Sequence, residues 1–298
     1  MTRTGVSGDD FVPYPRTPHV EGSGLQPGDD PSRLGYDRMA EADERAGVTW
    51  VIEEKLDGGQ AGISFSPDDL SLRLQSRGAL LSGGPREFQF NALKEWARVH
   101  EAALLERLED RYVMFGEWTF AMHTQFYDDL PHYFHEFDLW DRAGRRFLST
   151  PERARILDGS PVTSVPVLAS GPPPASLKAF RAVADAPSLY RTPAWRRSLR
   201  EAAIETRLRA PGRPPSEGDL EEAARVALAR TGDHDRMEGV YVKRELGDEA
   251  IGRFKHVDPH FSQTLLESGD HWMSHKLIRQ RTAPGVDIMA APAAGPAP

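Results

Sequence analysis

The chain of 298 residues contains no cysteine. Disulfides, zinc–thiolate centres and thiol nucleophiles are therefore excluded from any account of its stability or chemistry. A long apolar run is also missing: no segment approaches membrane-spanning length, and Met1 to Asp10 has no hydrophobic core of a secretory leader. Nor is there an excess of positive charge. With 37 Lys and Arg against 45 Asp and Glu the net charge is −8, which argues against a nonspecific coat for nucleic acid. An enzyme acting on nucleic acid stays open, because it needs only a local basic groove and carboxylates to hold metal. No internal repeat is present. What is there, 39% hydrophobic and 28% charged residues, is an ordinary globular composition. It is long enough for one large domain or two small ones, expected in the cytoplasm.

The rest of the chain is organised around Trp50 to Phe65, which reads Trp-Val-Ile-Glu-Glu-Lys-Leu-Asp-Gly-Gly-Gln-Ala-Gly-Ile-Ser-Phe. Trp50, Ile52 and Glu54 alternate with Thr49, Val51 and Glu53 as in a strand. Lys55 arrives where the apolar run stops. Gly58 and Gly59 let the backbone turn and come close to a ligand. Ile63 and Phe65 restart the alternation, so the unit is expected to be a strand, a glycine turn and a strand. A lysine at the mouth of a buried sheet is a candidate nucleophile: burial lowers its pKa, and a neutral amine attacks phosphorus or carbonyl carbon. A Lys-x-Asp-Gly tetrapeptide alone is equally the sequence of a solvated hairpin, so the weight falls on the residues downstream of it.

Residues 1–46, rich in Gly, Pro and Asp, read as an extended arm laid over the domain, with Arg16 and His19 as candidates for the mouth of a site. Leu70, Leu72 and Leu74 alternate with polar residues in a strand ending at Ser76-Arg77-Gly78. Apolar residues at spacings of three and four predict one amphipathic helix over Glu87 to Leu108. Tyr112 to Trp118 and Tyr133 to Asp141 are aromatic-rich strands. From about 142 to 236, helical stretches alternate with loops rich in Pro and Gly, a helical insertion. Strands resume at Glu238 to Arg244 and Ala250 to Val257, and 283–298 reads as a disordered tail of Ala, Pro and Gly. The main domain is thus 47–282, of class α+β with a largely antiparallel core, because helices do not alternate regularly with strands.

Attack by Lys55 on a nucleoside triphosphate would require cations and a divalent metal around the phosphorus, an acceptor for ribose hydroxyls and a flat apolar surface for the base. Strand ends offer each in order. Arg77 can meet phosphate or sugar oxygens, Glu117 can accept from ribose, and Phe137 can stack on a base. Glu238 can hold metal, while Lys243, Arg253 and Lys255 can reach phosphates. Singly, each is more often a rim charge or plain core.

Taken in order, Glu54-Lys55-Leu56-Asp57-Gly58, Ser76-Arg77-Gly78, Phe115-Gly116-Glu117-Trp118, Glu136-Phe137-Asp138, Glu238-Gly239-Val240-Tyr241-Val242-Lys243 and Arg253-Phe254-Lys255 resemble the six motifs of covalent nucleotidyltransferases. These are the ATP-dependent DNA and RNA ligases and the GTP-dependent mRNA capping enzymes. The likeness spans about 49–257 and is greatest to the RNA-repair ligases of phages and bacteria. It implies a ligase adenylation domain in which Lys55 takes AMP from ATP with Mg2+ or Mn2+. AMP then passes to a 5′-phosphate RNA end, and a 3′-hydroxyl end displaces it. Carried over, Glu54 belongs to the nucleotide site, and Arg77 and Glu117 hold ribose or the 5′-phosphate end. Phe137 stacks on adenine, Glu238 serves the metal, and Lys243, Arg253 and Lys255 contact AMP phosphate or pyrophosphate. Where the family's last motif often starts with lysine, this chain has the forked guanidinium of Arg253.

Only 43 residues, His256 to Pro298, follow Lys255, too few for a C-terminal oligonucleotide-binding (OB) barrel together with a tail. That disfavours many DNA ligases and capping enzymes but not a minimal DNA ligase. Phe261 to Arg281, with His271, Trp272, Lys276, Arg279 and Arg281, is a candidate for substrate contact or a solvated helix. Two readings of other classes stand beside the ligase. One is a metal-dependent hydrolase built on His123, His132 and His135 with Asp128, Asp129 and Glu136, whose spacing does not match helical metal pairs. The other is a non-catalytic nucleic-acid-binding module on the same fold. An end-healing kinase or phosphatase is a candidate partner of the ligase; no membrane is implied.

Overall fold

The computed structural model of the chain describes residues 11–25, 29, 35–232, 234–268 and 276–290. The first ten residues, His271, Trp272 and the last eight residues of the expected tail lie outside them. In chain order the strands are β1 (Thr49–Glu54), β2 (Gly59–Phe65), β3 (Leu72–Ser76), β4 (Tyr112–Trp118), β5 (Phe134–Asp141), β6 (Arg146–Phe147), β7 (Thr163–Ser164), β8 (Val167–Gly171), β9 (Gly239–Leu246) and β10 (Glu249–Val257). The helices are α1 (Tyr36–Ala46), α2 (Asn91–Val99), α3 (Glu101–Leu108), α4 (Thr150–Leu157), α5 (Leu177–Ala184), α6 (Trp195–Leu208), α7 (Glu217–Ala229) and α8 (Pro259–Ser268).

Two sheets carry the fold. One has the order β10-β9-β1-β8, the other β3-β2-β4-β5-β6 with β7 added beside β5. Every pairing is antiparallel except β5 with β7, so the α+β class with a largely antiparallel core holds. Trp50 and Ile52 of β1 meet Val240 and Val242 of β9 and Phe254 of β10 on one face of the first sheet. There α1 and α5 cover them with Tyr36, Met39, Phe180 and Ala184. Trp50 is 1% exposed, and its indole N–H donates to Asp43 Oδ2 at 2.7 Å, which satisfies the one polar atom that its burial would strand. The second sheet packs Ile63, Phe65, Met114 and Leu139 against Leu93 and Trp96 of α2 and Leu104 and Leu108 of α3.

The expected hairpin at Trp50 to Phe65 is not one. β1 pairs with β8 and β9, whereas β2 pairs with β3 and β4, so residues 55–58 step from one sheet into the other. Both strands are buried on two sides and each already has two partners, which leaves neither an edge for the other. The helix expected over Glu87 to Leu108 is also divided. A 3-10 turn (Pro85–Phe90) precedes α2, and the chain breaks at His100, where φ is −104° and ψ 14°. His100 Nε2 is held 2.8 Å from the Met289 carbonyl, while Trp96 packs on His132 and Phe134. The break leaves Phe88 and Val99 exposed rather than on the core face.

Within the stretch read as a helical insertion, β8 completes the first sheet beside β1, so this segment contributes to the core architecture as well as adding helices. α6 and α7 instead form a satellite core in which Trp195, Leu199, Ala203 and Ala227 cover Met122, Phe126 and Ile278. The arm contains the helix α1, stabilised through Tyr36 and Met39 rather than by any periodicity a Gly/Pro/Asp-rich segment displays.

Candidate active site

β1 lies in the middle of its sheet, so the two glutamates at its end are buried along with the apolar residues before them. Glu54 turns away from the step between sheets: its carboxylate accepts from Ser188 Oγ at 2.5 Å and from the Leu189 backbone N–H at 3.0 Å. Glu53 points the opposite way, into the seam. The next residue, Lys55, donates its backbone N–H to the Gly239 carbonyl at 2.9 Å, so register between β1 and β9 sets Lys55 beside Glu238. Leu56 then enters the core of the second sheet. Asp57 fixes the step: its Oδ2 accepts from the backbone N–H groups of Thr124 and Gln125, each at 2.7 Å, and its own N–H donates to Tyr127 Oη at 2.8 Å. Gly58 packs against the end of β4 so closely that a Cβ there would lie 2.6 Å from the Trp118 carbonyl oxygen.

The step opens onto a cavity of about 550 Å³ between the two sheets, the size range of a small-molecule site. Lys55, Arg77, Glu117, Phe137 and Lys255 line it, joined by Tyr241, Gln89, Phe90, His123 and, from the arm, Tyr14 and Thr17. Lys55 Nζ stands 2.5 Å from Glu238 Oε1. Burial lowers the lysine's pKa, but the charges of Glu238, Tyr241 and Glu117 outweigh it and carry the pKa above the ordinary lysine value. This corrects the expectation that burial frees the amine: among the protein's own charges Lys55 is an ammonium paired with a carboxylate. Burial pushes Glu117 up to about 8 against the pull of Lys55, so its carboxyl can donate as well as accept toward a sugar hydroxyl. Lys255 is lowered by burial and by Lys55. Glu238 is 5% exposed and none of the described residues bonds its Oε2.

Phe137 is held by its backbone. Its carbonyl accepts from Arg153 and Lys243, which aims the ring into the cavity. Across from it stands Tyr241, with ring centroids 6.2 Å apart and planes 25° from parallel. A flat base stacked on both rings needs about 3.5 Å on each side, about 7 Å in all, a small opening from the observed gap.

Three residues assigned to nucleotide contact do not line this cavity. Glu54 is taken by Ser188 and Leu189. Lys243, 2% exposed, pairs with Glu53 at 2.8 Å beneath Phe137. Arg253 donates to Asp138 Oδ2 at 2.6 Å and lies 3.6 Å over the Phe147 ring. In each case buried carboxylates or backbone draw the side chain below the cavity floor, so these residues shape the site rather than face its contents. The arm does reach the mouth, through Tyr14, whose hydroxyl donates to Asp138 Oδ2 at 2.5 Å, and not through Arg16 or His19. Pro18 and Val20 bond the backbone of Lys255 on both sides. Sequence reasoning missed Tyr14 and Tyr241. Tyr241 was readable, since it shares the strand face of Lys243 and comes three residues after Glu238. Tyr14 carried no periodic signal.

The histidines of the hydrolase reading are spread among other tasks. His132 sits between the Ile288 carbonyl and the Phe134 N–H, Asp128 holds Thr192 and Ser198, and Glu136 holds Arg153 and Ser164. No group of three or more His, Asp or Glu able to hold a metal occurs among the described residues.

The site thus sets a lysine against a partly unpaired glutamate beside a cavity between the two sheets. The chain belongs to the RNA ligase family, whose model matches residues 48–257. Among solved structures it resembles a Naegleria gruberi RNA ligase. A mutant of that enzyme with ATP and Mn aligns at 16% identity and a TM-score of 0.50, covering 86% of this chain and 64% of the other. The same ligase with pyrophosphate (PPi) aligns at 16% identity and a TM-score of 0.48, covering 89% and 64%. This chain therefore spans less than two thirds of the length of those structures. No curated protein matches it. No helix among the described residues is long and apolar enough to cross a membrane.

Proposed function

We propose that the chain is an ATP-dependent RNA ligase. Lys55 Nζ, once neutral, attacks the α-phosphorus of ATP; the N–P bond forms, the bond to the bridging oxygen breaks and pyrophosphate leaves. The lysyl-AMP then yields AMP to the 5′-phosphate of an RNA end, and a 3′-hydroxyl displaces AMP as the strand is sealed. The observation that carries this reading is the position of Lys55, 2.5 Å from Glu238 in a cavity shared with Arg77, Lys255 and the Phe137–Tyr241 ring pair. Arg77 and Lys255 neutralise the phosphates, Glu117 meets the ribose, and the two rings take adenine.

The unbonded Oε2 of Glu238 fits a divalent ion, Mg2+ or Mn2+, because a buried carboxylate oxygen without a donor is costly and a hard cation satisfies it. When bound there, the ion would neutralise the carboxylate that holds Lys55 as an ammonium and so favour the free amine. Residues of this chain do the rest: Glu238 holds the protonated lysine in place before ATP binds, and the Tyr241 ring, its centroid 5.6 Å from Nζ, covers one side of it. We place the protein in the cytoplasm, acting on 5′-phosphate and 3′-hydroxyl RNA ends that a kinase or phosphatase can prepare.

Incubation with labelled ATP and Mg2+ or Mn2+ is expected to give an acid-stable protein–AMP adduct. Labelling should favour ATP over GTP, and joining should be faster when the 3′-hydroxyl strand is RNA. Failure to form the adduct with either metal would remove the ligase reading; equal sealing of all-DNA nicks would remove the RNA preference. Because the lysine pKa lies above its usual value, the neutral fraction grows with pH throughout the neutral range. Adduct formation should therefore rise by about tenfold per pH unit from mildly acidic conditions until the metal-bound site loses its proton. A rate that is flat with pH from the start would show that Lys55 is not held as an ammonium.

A further inference from the structure

Beyond the nucleotide cavity the loop after β4 has a second side. Residues 276–282 run along it as an extended segment: Met122 N–H donates to the Ile278 carbonyl at 2.9 Å, Gln280 N–H to the Phe120 carbonyl at 3.0 Å, and Arg281 N–H to the Tyr127 carbonyl at 3.0 Å. His123, on this same loop, faces the nucleotide cavity. On the far side, between the loop, the end of α6 and residues 279–286, lies a polar groove of about 350 Å³ whose walls include Tyr133, Arg209, Arg279 and Arg281.

Arg279 is the key group. It is exposed, yet fixed: Nε donates to Tyr133 Oη at 3.0 Å, and the guanidinium sits 5.3 Å from the ring centroids of both Phe120 and Tyr133. Phe120 in turn stacks on Trp118 at 5.9 Å with planes 11° apart. Among the described residues no carboxylate pairs with Arg279. Arg281 pairs with Glu205 at 2.6 Å, and Arg209 lies 3.8 Å from the same glutamate. Arg281 and Arg209 share one acid and Arg279 has none among the described residues, so the groove is cationic on a protein whose net charge is −8. A guanidinium pre-placed on aromatic faces without an acid suits a phosphodiester beside a base, and a cationic groove with aromatic rings suits single-stranded nucleic acid.

We propose that this groove holds the single-stranded RNA flanking the reacting end, with Arg279 and Arg209 on successive phosphates. The proposal rests on the ligase reading and gives that reading a strand-binding surface outside the nucleotide cavity. The loop after β4, anchored by Asp57 through Thr124 and Gln125, contributes His123 to the nucleotide cavity and Tyr133 to the groove, and so joins the two.

The test uses the full chain and separates the two readings. The rate of protein–AMP formation is measured first, without RNA. Transfer of AMP to a 5′-phosphorylated single-stranded RNA is then measured against RNA concentration and salt, with a DNA strand of the same sequence as the second arm. The double variant Arg209→Ala/Arg279→Ala is expected to form the adduct at the wild-type rate. It should need about tenfold or more RNA for half-saturation, and the slope of log affinity against log salt should fall by about 1.4, about 0.7 per lost phosphate contact. Arg279→Lys should restore the salt slope but not the full affinity, because it keeps the charge and loses the fork. Unchanged half-saturation and slope in the double variant would overturn the groove, and so would tighter use of DNA than RNA that depends on the same arginines. Absence of the adduct in the unaltered chain would instead overturn the ligase reading. Should the double variant melt early, Arg209→Glu, at an exposed helix end, carries the same comparison.

Discussion

Lys55→Arg is expected to fold normally and to lose formation of the protein–AMP adduct by more than about a thousandfold. The outcome turns on what each atom in the pair does. Before nucleotide binds, Lys55 is a cation against Glu238, and a guanidinium can replace it there with little loss of stability. A guanidinium cannot be deprotonated in a protein, so it offers no lone pair to phosphorus. Lys55→Ala should fail equally in labelling but differ in stability, because it leaves Glu238 buried without its counter-charge. A second amine, Lys255, lines the same cavity and is lowered by burial, so it is the one alternative lysine among the described residues of the cavity. Lys255→Ala should retain a labelled adduct at reduced rate. The measurement is adduct yield from labelled ATP, with the labelled peptide identified by mass spectrometry and the melting temperature taken in parallel. A labelled Lys55→Arg protein, or a label on the peptide carrying Lys255, would dismiss Lys55.

The residues that face the cavity were legible because each lies in, or just after, a strand whose alternation the sequence displays. Lys55, Glu117, Phe137 and Lys255 sit where period two puts them, and β1 through β5 appear close to where the pattern predicts. Three things were hidden, each for a physical reason. Pairing partners were one: Gly58-Gly59 after a strand suits a hairpin, and only the burial of β1 and β2 between other strands shows that the chain changes sheets there. The direction of buried charges was another. Lys243 and Arg253 share the strand face of Tyr241 and Lys255, yet Glu53 and Asp138 from distant segments pull them under the floor. The last was Arg153 of α4. Its partners lie on β1 and β5, a separation no local pattern encodes.

Arg153→Met is expected to destabilise the protein by about 3–5 kcal/mol, since it removes one partner from a buried ion cluster and strands the others. For a chain of this size that corresponds to a fall of roughly 10 °C in melting temperature. The side chain, 3% exposed, reaches from α4 across both sheets: to Glu53 of β1 at 3.1 Å, to Glu136 of β5 at 3.1 Å and to the Phe137 carbonyl. Burial lowers the Arg153 pKa but Glu136, Glu53 and Asp138 raise it further, so it stays charged. Burial also raises Glu53 and Glu136 to about 7, with Arg153 the main opposing charge. Carboxyls raised in the folded state above the ordinary 4.5 stabilise most below that value and lose the contribution as pH rises through about 7. Without Arg153 they would be raised further, so at pH 5.5 they are neutral and cost little, whereas at pH 8 they must be buried as unpaired anions or take up protons. The loss in melting temperature should therefore be larger at pH 8 than at pH 5.5. Adduct formation should weaken mainly through the half-saturating ATP concentration, because the Phe137 carbonyl loses one of its two anchors while Lys55 keeps its place. A variant as stable as the wild type at pH 8, or a loss that shrinks with rising pH, would refute the cluster as the bond between the sheets.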